Sequence, residues 1–174
     1  MENTFDVVVA GCGVAGLSAA VSAAENGARV VILERAPEED RGGQSRYTEA
    51  YLRMKSLTEV SDDFEVHLAE NGSGSIDPDL VEQAATDPRG TSLTRGLSLA
   101  DPNLIERFSN EAAPTIVWLQ GIGARFDFLP TQFLTASQPR LLPVGGGQAL
   151  VDVLAARAEA LGVTFLYETT AQSL

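Results

Sequence analysis

The sequence contains a single cysteine, Cys12, and a single histidine, His67, among its 174 residues. One cysteine excludes an internal disulfide and a metal site built from several cysteines. This cysteine usage fits a reducing compartment, and we expect a cytoplasmic protein. The histidine lies between two apolar residues of a predicted helix, where a structural or solvent-facing position is expected rather than a catalytic one.

Positive charge is also scarce, with 12 lysine and arginine residues against 24 aspartate and glutamate residues and a net charge of −12. This balance argues against binding to nucleic acids or anionic membranes, because both carry negative charge. No uncharged apolar run is long enough to span a bilayer, and the acidic N-terminus lacks the basic segment of a signal peptide. We expect neither nucleic-acid binding nor membrane insertion.

The first 34 residues, in contrast, are rich in glycine and predict one β-α-β unit. Residues 5–10 are short, apolar and β-branched, as in a buried parallel strand. Residues 14–26 predict a helix with an apolar face, and residues 29–34 predict a second strand. The sequence GCGVAG between the first strand and the helix has the GxGxxG spacing of a dinucleotide-binding loop.

Each glycine of this loop has a mechanical role in such a site. Gly11 permits the tight turn, Gly13 leaves room for a diphosphate beside the backbone, and Gly16 lets the helix pack closely on the sheet. The N-terminus of the helix offers N–H groups and a partial positive charge to phosphates. Glu34 ends the second strand 18 residues after Gly16, where a carboxylate accepts hydrogen bonds from ribose hydroxyls. The alternative is that these glycines are present only for packing. The strand before the loop, the helix after it and the position of Glu34 together disfavour that alternative.

The stretch after Glu34 helps to choose between NAD and FAD, since both bind to such a unit. A basic residue, Arg35, follows directly, and the sequence RGGQS occupies residues 41–45. Its two glycines allow the chain to pass closely over a diphosphate and a flavin ring, while Gln44 and Ser45 can donate hydrogen bonds. The pattern favours a flavin dinucleotide. An NAD(P)-dependent enzyme is the alternative, although Glu34 would repel a 2′-phosphate.

A second glycine-rich turn, residues 145–147, precedes another predicted helix. Its apolar stripe consists of Leu150, Leu154, Ala158 and Leu161. Gly162 ends this helix, and residues 163–168 predict the next strand. This α-β unit is able to add to the first sheet.

Three segments of the chain, in this order, resemble the FAD-binding domain of the fumarate reductase and succinate dehydrogenase flavoprotein family. They are DVVVAGCGVAGLSAA, VVILERAPEEDRGGQSR and GGGQALVDVLAARAEALGVTFLYETTA. Within that family they are most similar to the tricarballylate dehydrogenase branch. The resemblance implies an α/β fold with a Rossmann-like, glutathione-reductase-type parallel sheet and FAD as the cofactor.

The resemblance also implies roles for individual residues. The diphosphate would be held by Gly11, Gly13 and Gly16. The adenosine ribose would be bound by Glu34, with Arg35 beside it. The diphosphate and the flavin would be lined by Gly42, Gly43, Gln44 and Ser45. The backbone of Ala171, just past the last strand, would meet the adenine. Gln44 departs from the family, in which asparagine is usual, so its donor would lie on a longer side chain. No catalytic residue and no metal ligand are assigned.

The expected domain organisation is discontinuous. Residues 1–50 and 145–174 would form the FAD-binding domain, and residues 51–144, which lack β-α alternation, a mostly helical insertion. Within the insertion, Asp101-Pro102 places a capping residue before a proline at the first helical position. Pro114 is expected to start or kink the segment that follows it.

The resemblance implies a flavin-dependent oxidoreductase. It would transfer a hydride between flavin N5 and a small carboxylate-bearing substrate at a C–C or C=C bond, and an electron-transfer partner is compatible with this chemistry. The guanidinium groups of Arg46 and Arg140 match the shape of a carboxylate, so either residue could approach a substrate carboxylate. A surface position is the simpler interpretation of each.

Two features of the family are absent from the sequence, namely the later substrate-binding region and the last strand of the FAD domain with its Gly-Asp pair. We therefore expect an incomplete domain, the N-terminal part of a longer enzyme, which alone would be inactive. A truncated, non-catalytic nucleotide-binding module is the alternative.

Overall fold

The structure is a computed structural model that describes residues 4–52, 54–57, 59–60, 102–129 and 140–173. The elements in chain order are β1 (Val7–Ala10), α1 (Val14–Glu25), β2 (Val30–Leu33), β3 (Met54–Ser56), β4 (Glu59–Val60), α2 (Pro102–Gly121), β5 (Phe126–Leu129), β6 (Arg140–Pro143), α3 (Gly146–Ala160) and β7 (Thr164–Leu166). Two short 3₁₀ helices follow β2, Glu38–Asp40 and Gly43–Tyr47.

The chain divides into two compact units. The first comprises Met1–Tyr51, Gln120–Asp127 and Leu142–Leu174, and the second comprises Leu52–Leu119 and Phe128–Leu141. All the predicted cofactor-binding residues belong to the first unit. The predicted boundaries of the insertion, at residues 51 and 144, stay a prediction.

The first unit is built on a three-stranded parallel sheet with the order β1-β2-β7. Val7 pairs with Val30, and Val31 pairs with Thr164. The predicted β-α-β unit and the addition of the later α-β unit to the same sheet are therefore confirmed. Because the strands are parallel, their carboxyl ends meet at one edge, the usual place for a ligand in such a sheet.

The core of this unit is formed where α1 packs against β1 and β2 and where α3 packs against α1. The side chains that are fully buried in these two helices are Leu17, Ala20, Val21, Val151, Leu154, Ala155 and Ala158. Burial of each large aliphatic side chain stabilises the fold by about 1.5–3 kcal/mol. The alanines among them are small enough to let the two helices approach closely.

The part of the predicted insertion that the structure describes contains one helix and several short strands. α2 begins at Pro102, as expected, and it continues through Pro114 to Gly121. Pro114 therefore does not start a new segment, whereas the alternative expectation, a kink at Pro114, stays a prediction. Arg140 opens strand β6. The predicted helix containing His67 lies outside the described residues.

No helix in the described part of the chain combines the length and apolar composition that crossing a bilayer requires.

Candidate dinucleotide-binding site

The loop between β1 and α1 turns sharply at Gly11, whose φ of +97° lies in the left-handed region that favours glycine. Its N–H donates to the carbonyl of Leu33 over 2.8 Å, which holds the loop against the end of β2. Gly13 is the N-cap of α1 and provides no side-chain cap. The first turn of α1 therefore presents backbone N–H groups at the carboxyl edge of the sheet.

The three glycines of this loop differ in what surrounds them. A Cβ on Gly16 would overlap the carbonyl oxygen of Gly11, so this glycine is required by packing. A Cβ on Gly13 would lie 3.5 Å from Ser45 Oγ and 3.7 Å from the carbonyl oxygen of Gly42, which are ordinary contacts, and one on Gly11 would meet nothing within 4 Å. The space beside Gly11 and Gly13 is thus not filled by the protein, as a cradle for a diphosphate requires.

Glu34 follows β2 directly and is the one buried charged residue among those described, with 7% of its surface exposed. The N–H of Cys12 donates to its Oε2 over 2.7 Å, and the N–H of Ala36 donates to its Oε1 over 2.9 Å. An ionised carboxylate can accept about four hydrogen bonds, so acceptor sites remain for the two hydroxyls of a ribose.

The thiol of Cys12 is fully buried below this loop. Burial, and next the negative charge of Glu34, raises the pKa of the Cys12 thiol to about 11. The thiol is therefore neutral near pH 7 and serves as a small apolar side chain in the loop.

The 42–45 turn, which consists of residues 42 to 45, lies against the starts of both helices. Gly42 has a φ of +111°, and a Cβ there would lie 3.0 Å from both methyl groups of Val151 on α3. Ser45 Oγ accepts a hydrogen bond from the N–H of Val14, in the first turn of α1, over 3.2 Å. Its hydroxyl proton is left to donate to a phosphate. Gly43, by contrast, is exposed, with nothing within 4 Å of a Cβ.

The second glycine-rich turn, residues 145–147, contacts other parts of the chain instead of leaving open space as the loop between β1 and α1 does. The sequence pattern did not reveal this difference. The N–H of Gly147 donates to the carbonyl of Thr48 over 2.8 Å, and a Cβ on Gly147 would overlap the carbonyl oxygen of Ser45. These contacts occupy the beginning of α3 with the protein's own backbone. Residues 145–147 therefore support the 42–45 turn.

The remaining predicted cofactor residues, Arg35, Gln44 and Ala171, are exposed to solvent. Arg35 follows Glu34 in the chain. The N–H of Thr169 donates to the carbonyl of Glu34 over 2.9 Å, so the segment leading to Ala171 runs alongside Glu34. The roles of all the predicted cofactor residues stay predictions, although the structure brings them to one edge of the sheet.

The candidate carboxylate-binding arginines are placed differently. Arg46 donates to the carbonyl of Glu39 over 3.0 Å and to Asp40 over 3.3 Å, and its guanidinium lies 5.4 Å from the ring centre of Tyr47. It is thus engaged with its own loop, and its side chain is 20% exposed. The side chain of Arg140 lies outside the described part of the structure.

Comparison with known proteins agrees with this geometry. The chain is 28% identical over 173 residues to vinyl phenol reductase from Lactiplantibacillus plantarum, covering 99% of the chain and 31% of that protein. It is 26% identical over 128 residues to fumarate reductase (cytochrome) from Shewanella frigidimarina, covering 71% of the chain and 18% of that protein. The chain thus spans about a third or less of the length of these relatives.

Among solved structures, 3-ketosteroid-delta4-(5alpha)-dehydrogenase from Rhodococcus jostii RHA1 has the same fold, with a TM-score of 0.63 and 23% identity. The likeness covers 98% of the chain and 39% of that protein. A family model described as the FAD binding domain matches residues 6–174. The chain therefore belongs to this family, in the fumarate reductase and succinate dehydrogenase group of flavoproteins, and its cofactor is FAD.

Proposed function

We propose that the chain is the FAD-binding part of an oxidoreductase that makes or saturates a C=C bond in a small carboxylate-bearing substrate, as the tricarballylate dehydrogenase branch does. The observation that carries the proposal is the buried Glu34 carboxylate, which is held beside the N-terminus of α1, where the N-cap residue Gly13 provides no side chain. This pair of features suits the adenosine ribose and the diphosphate of FAD.

The residues of the site then have separate tasks. The N–H groups at the start of α1 attract the diphosphate, and the open space beside Gly11 and Gly13 lets it approach the backbone. Ser45 donates its hydroxyl proton to a phosphate oxygen while it accepts from Val14. The exposed Gly43 and Gln44 lie where the chain passes the flavin. When bound, the flavin supplies hydride transfer at N5.

The substrate class rests on the names of the relatives. Fumarate reductase is named for a dicarboxylate with a C=C bond, whereas vinyl phenol reductase is named for a substrate with a C=C bond and no carboxylate. The shared feature is the C=C bond, and the carboxylate is the narrower part of our proposal.

The word cytochrome in the name of the Shewanella protein supports an electron-transfer partner for this enzyme as well. We also place the protein in the cytoplasm.

The test uses the whole oxidoreductase of which this chain is proposed to be the FAD-binding part, purified with FAD. The 174-residue chain alone is the comparison, and it is expected to bind FAD without transferring a hydride. The bound flavin is first reduced chemically in the absence of oxygen. The flavin absorbance is then followed after addition of one of three compounds: fumarate, the unsaturated analogue of tricarballylate, or vinyl phenol. Reoxidation by an unsaturated carboxylate, but not by its saturated counterpart, is the expected result. A whole protein that binds FAD but whose reduced flavin none of these compounds reoxidises would support the alternative, a nucleotide-binding module without catalysis.

A further inference from the structure

The side chain of Arg41 joins three segments of the first unit. Its Nη1 donates to Glu159 Oε1 on α3 over 2.7 Å and to the Tyr167 hydroxyl oxygen over 3.0 Å. Tyr167 directly follows β7. The Arg41 side chain is only 17% exposed, whereas that of Arg29 in the ion pair with Asp6 is 61% exposed. Since partly buried pairs are screened less by water and salt, this junction is expected to hold its geometry more firmly than a surface pair.

Arg41 immediately precedes the 42–45 turn. Two consecutive glycines of this turn, Gly42 and Gly43, have φ values of +111° and +52°. Glycine loses more conformational freedom on folding than any other residue, so a turn of this kind needs outside contacts to remain in one conformation. Val151 supplies one contact by packing on Gly42. The N–H of Val14 supplies a second contact through its hydrogen bond to Ser45 Oγ. Arg41 supplies a further contact at the entrance of the turn.

The Tyr167 end of the junction is connected to Glu34. The N–H of Glu34 donates to the carbonyl of Leu166, and the N–H of Thr169 donates to the carbonyl of Glu34, each over 2.9 Å. The residues on both sides of Tyr167 are therefore tied to the backbone of Glu34. A hydrogen bond from Arg41 to Tyr167 thus links the 42–45 turn to the segment that holds Glu34.

We infer that Arg41 is a positioning residue, which fixes the 42–45 turn relative to the Glu34 carboxylate through its contacts with Glu159 and Tyr167. It does not itself need to touch the nucleotide. Without it, the turn occupies its binding conformation for a smaller fraction of the time, and FAD binding must supply the ordering free energy. The inference rests on FAD binding and not on the identity of the substrate.

Arg157 provides a matched control, because it also forms an ion pair between elements of the first unit. Its Nη2 lies 2.8 Å from Glu25 Oε1, joining α3 to α1, and it has no hydrogen bond to the 42–45 turn among those of the described residues. Arg41→Met and Arg157→Met each remove one guanidinium and the short ion pair that joins it to another element, and Arg41→Met also removes a longer ion pair of 3.8 Å with the nearby Glu38. Loss of packing alone would therefore affect both variants in a similar way.

The experiment measures the dissociation constants of the full chain for FAD and for AMP, together with the thermal midpoint of the FAD-free protein. AMP carries the adenosine and one phosphate, so it depends little on the 42–45 turn. We expect Arg41→Met to weaken FAD binding by about tenfold or more and AMP binding by less than about twofold. Arg157→Met should change both constants by less than about twofold. Arg41→Lys, which keeps the charge, should recover part of the FAD affinity.

Two results would overturn the inference, namely unchanged FAD binding by Arg41→Met, or equal losses of FAD and AMP binding. Hydrogen exchange at the amides of the 42–45 turn in the FAD-free chain gives a second readout, and it should become faster in Arg41→Met but not in Arg157→Met. A whole oxidoreductase that binds FAD but transfers no hydride to an unsaturated substrate would contradict the proposed function alone, because these comparisons do not involve a substrate.

Discussion

The backbone N–H of Cys12 donates a hydrogen bond of 2.7 Å to the carboxylate of Glu34. The bond connects the loop after β1 to the residue after β2, the two places from which the nucleotide is expected to be held. The other carboxylate oxygen accepts from Ala36. Both oxygens are therefore oriented before the nucleotide arrives, and such preorganisation lowers the cost of binding.

Glu34→Gln tests this arrangement. A glutamine side chain offers one acceptor oxygen and an amide NH₂, so one of the two N–H donors of Cys12 and Ala36 would face another donor. An unpaired buried donor costs about 1–3 kcal/mol, and we expect the free energy of unfolding in urea to fall by that amount. FAD affinity should fall as well. Glu39→Gln, at an exposed position, is the control and should change unfolding by less than about 0.5 kcal/mol. Equal stability of the two variants would contradict the prediction.

Gly16→Ala is expected to destabilise the fold, although alanine favours a helix by about 1 kcal/mol over glycine. The added Cβ would overlap the carbonyl oxygen of Gly11, and relieving an overlap with backbone costs about 1–3 kcal/mol. Gly121→Ala, near the end of α2, is the matched control because a Cβ there meets nothing within 4 Å. Urea unfolding should show a loss for Gly16→Ala and no loss for Gly121→Ala. A stabilised Gly16→Ala variant would show that the close contact is absent.

Gly13→Ala should separate nucleotide binding from folding. Gly13 has a φ of −71° and a ψ of 172°, which alanine adopts readily, and a Cβ there makes only ordinary contacts. We expect unfolding to change by less than about 1 kcal/mol. FAD binding should weaken by about tenfold or more, since the methyl group would occupy the space proposed for the diphosphate. Unchanged FAD affinity, measured by quenching of flavin fluorescence, would place the diphosphate elsewhere.

The pKa of the Asp6 carboxyl is lowered to about 2, chiefly by the hydrogen bond from the Arg29 side chain. In the unfolded chain its pKa returns to 3.8. The carboxylate therefore contributes stability above about pH 4 that is lost as the pH falls through 2. We expect Asp6→Asn to be less stable than the wild type at pH 6 and equally stable near pH 2. A constant difference between the two across this range would show that the ion pair does not form in solution.

The features that the sequence predicted correctly depend on local pattern. The order strand, glycine loop, helix and strand could be predicted because apolar periodicity and turn residues act within about 30 residues. The position of Glu34 after β2 follows from the same unit. Its contact with Cys12 could not be predicted, since spacing places a residue at the edge of a sheet but does not aim its side chain.

Other features depend on contacts between distant parts of the chain. Residues 11–16 and residues 145–147 are both glycine-rich starts of helices, yet only the first leaves its space open. Sequence does not distinguish them, because the difference lies in whether backbone carbonyls cover the helix start, as those of Ser45 and Thr48 do at Gly147. The contact between Arg41 and Glu159 joins residues 118 positions apart. The helix that continues through Pro114 shows that a local rule can be overridden by its surroundings.

The thiol of Cys12 is expected to react only when the protein unfolds. At pH 8, a pKa of about 11 leaves roughly a hundredfold less thiolate than the usual value of 9.0 does, and burial blocks the reagent as well. Since the folded state retains this proton and the unfolded state releases it, the contribution of Cys12 to stability declines as the pH rises from about 9 to 11. Labelling with a chromogenic disulfide at pH 8 should be more than about a hundredfold slower in buffer than in concentrated urea. Similar rates under the two conditions would mean that the loop from Gly11 to Gly13 opens readily, and then Glu34 could not be held in place before FAD binds.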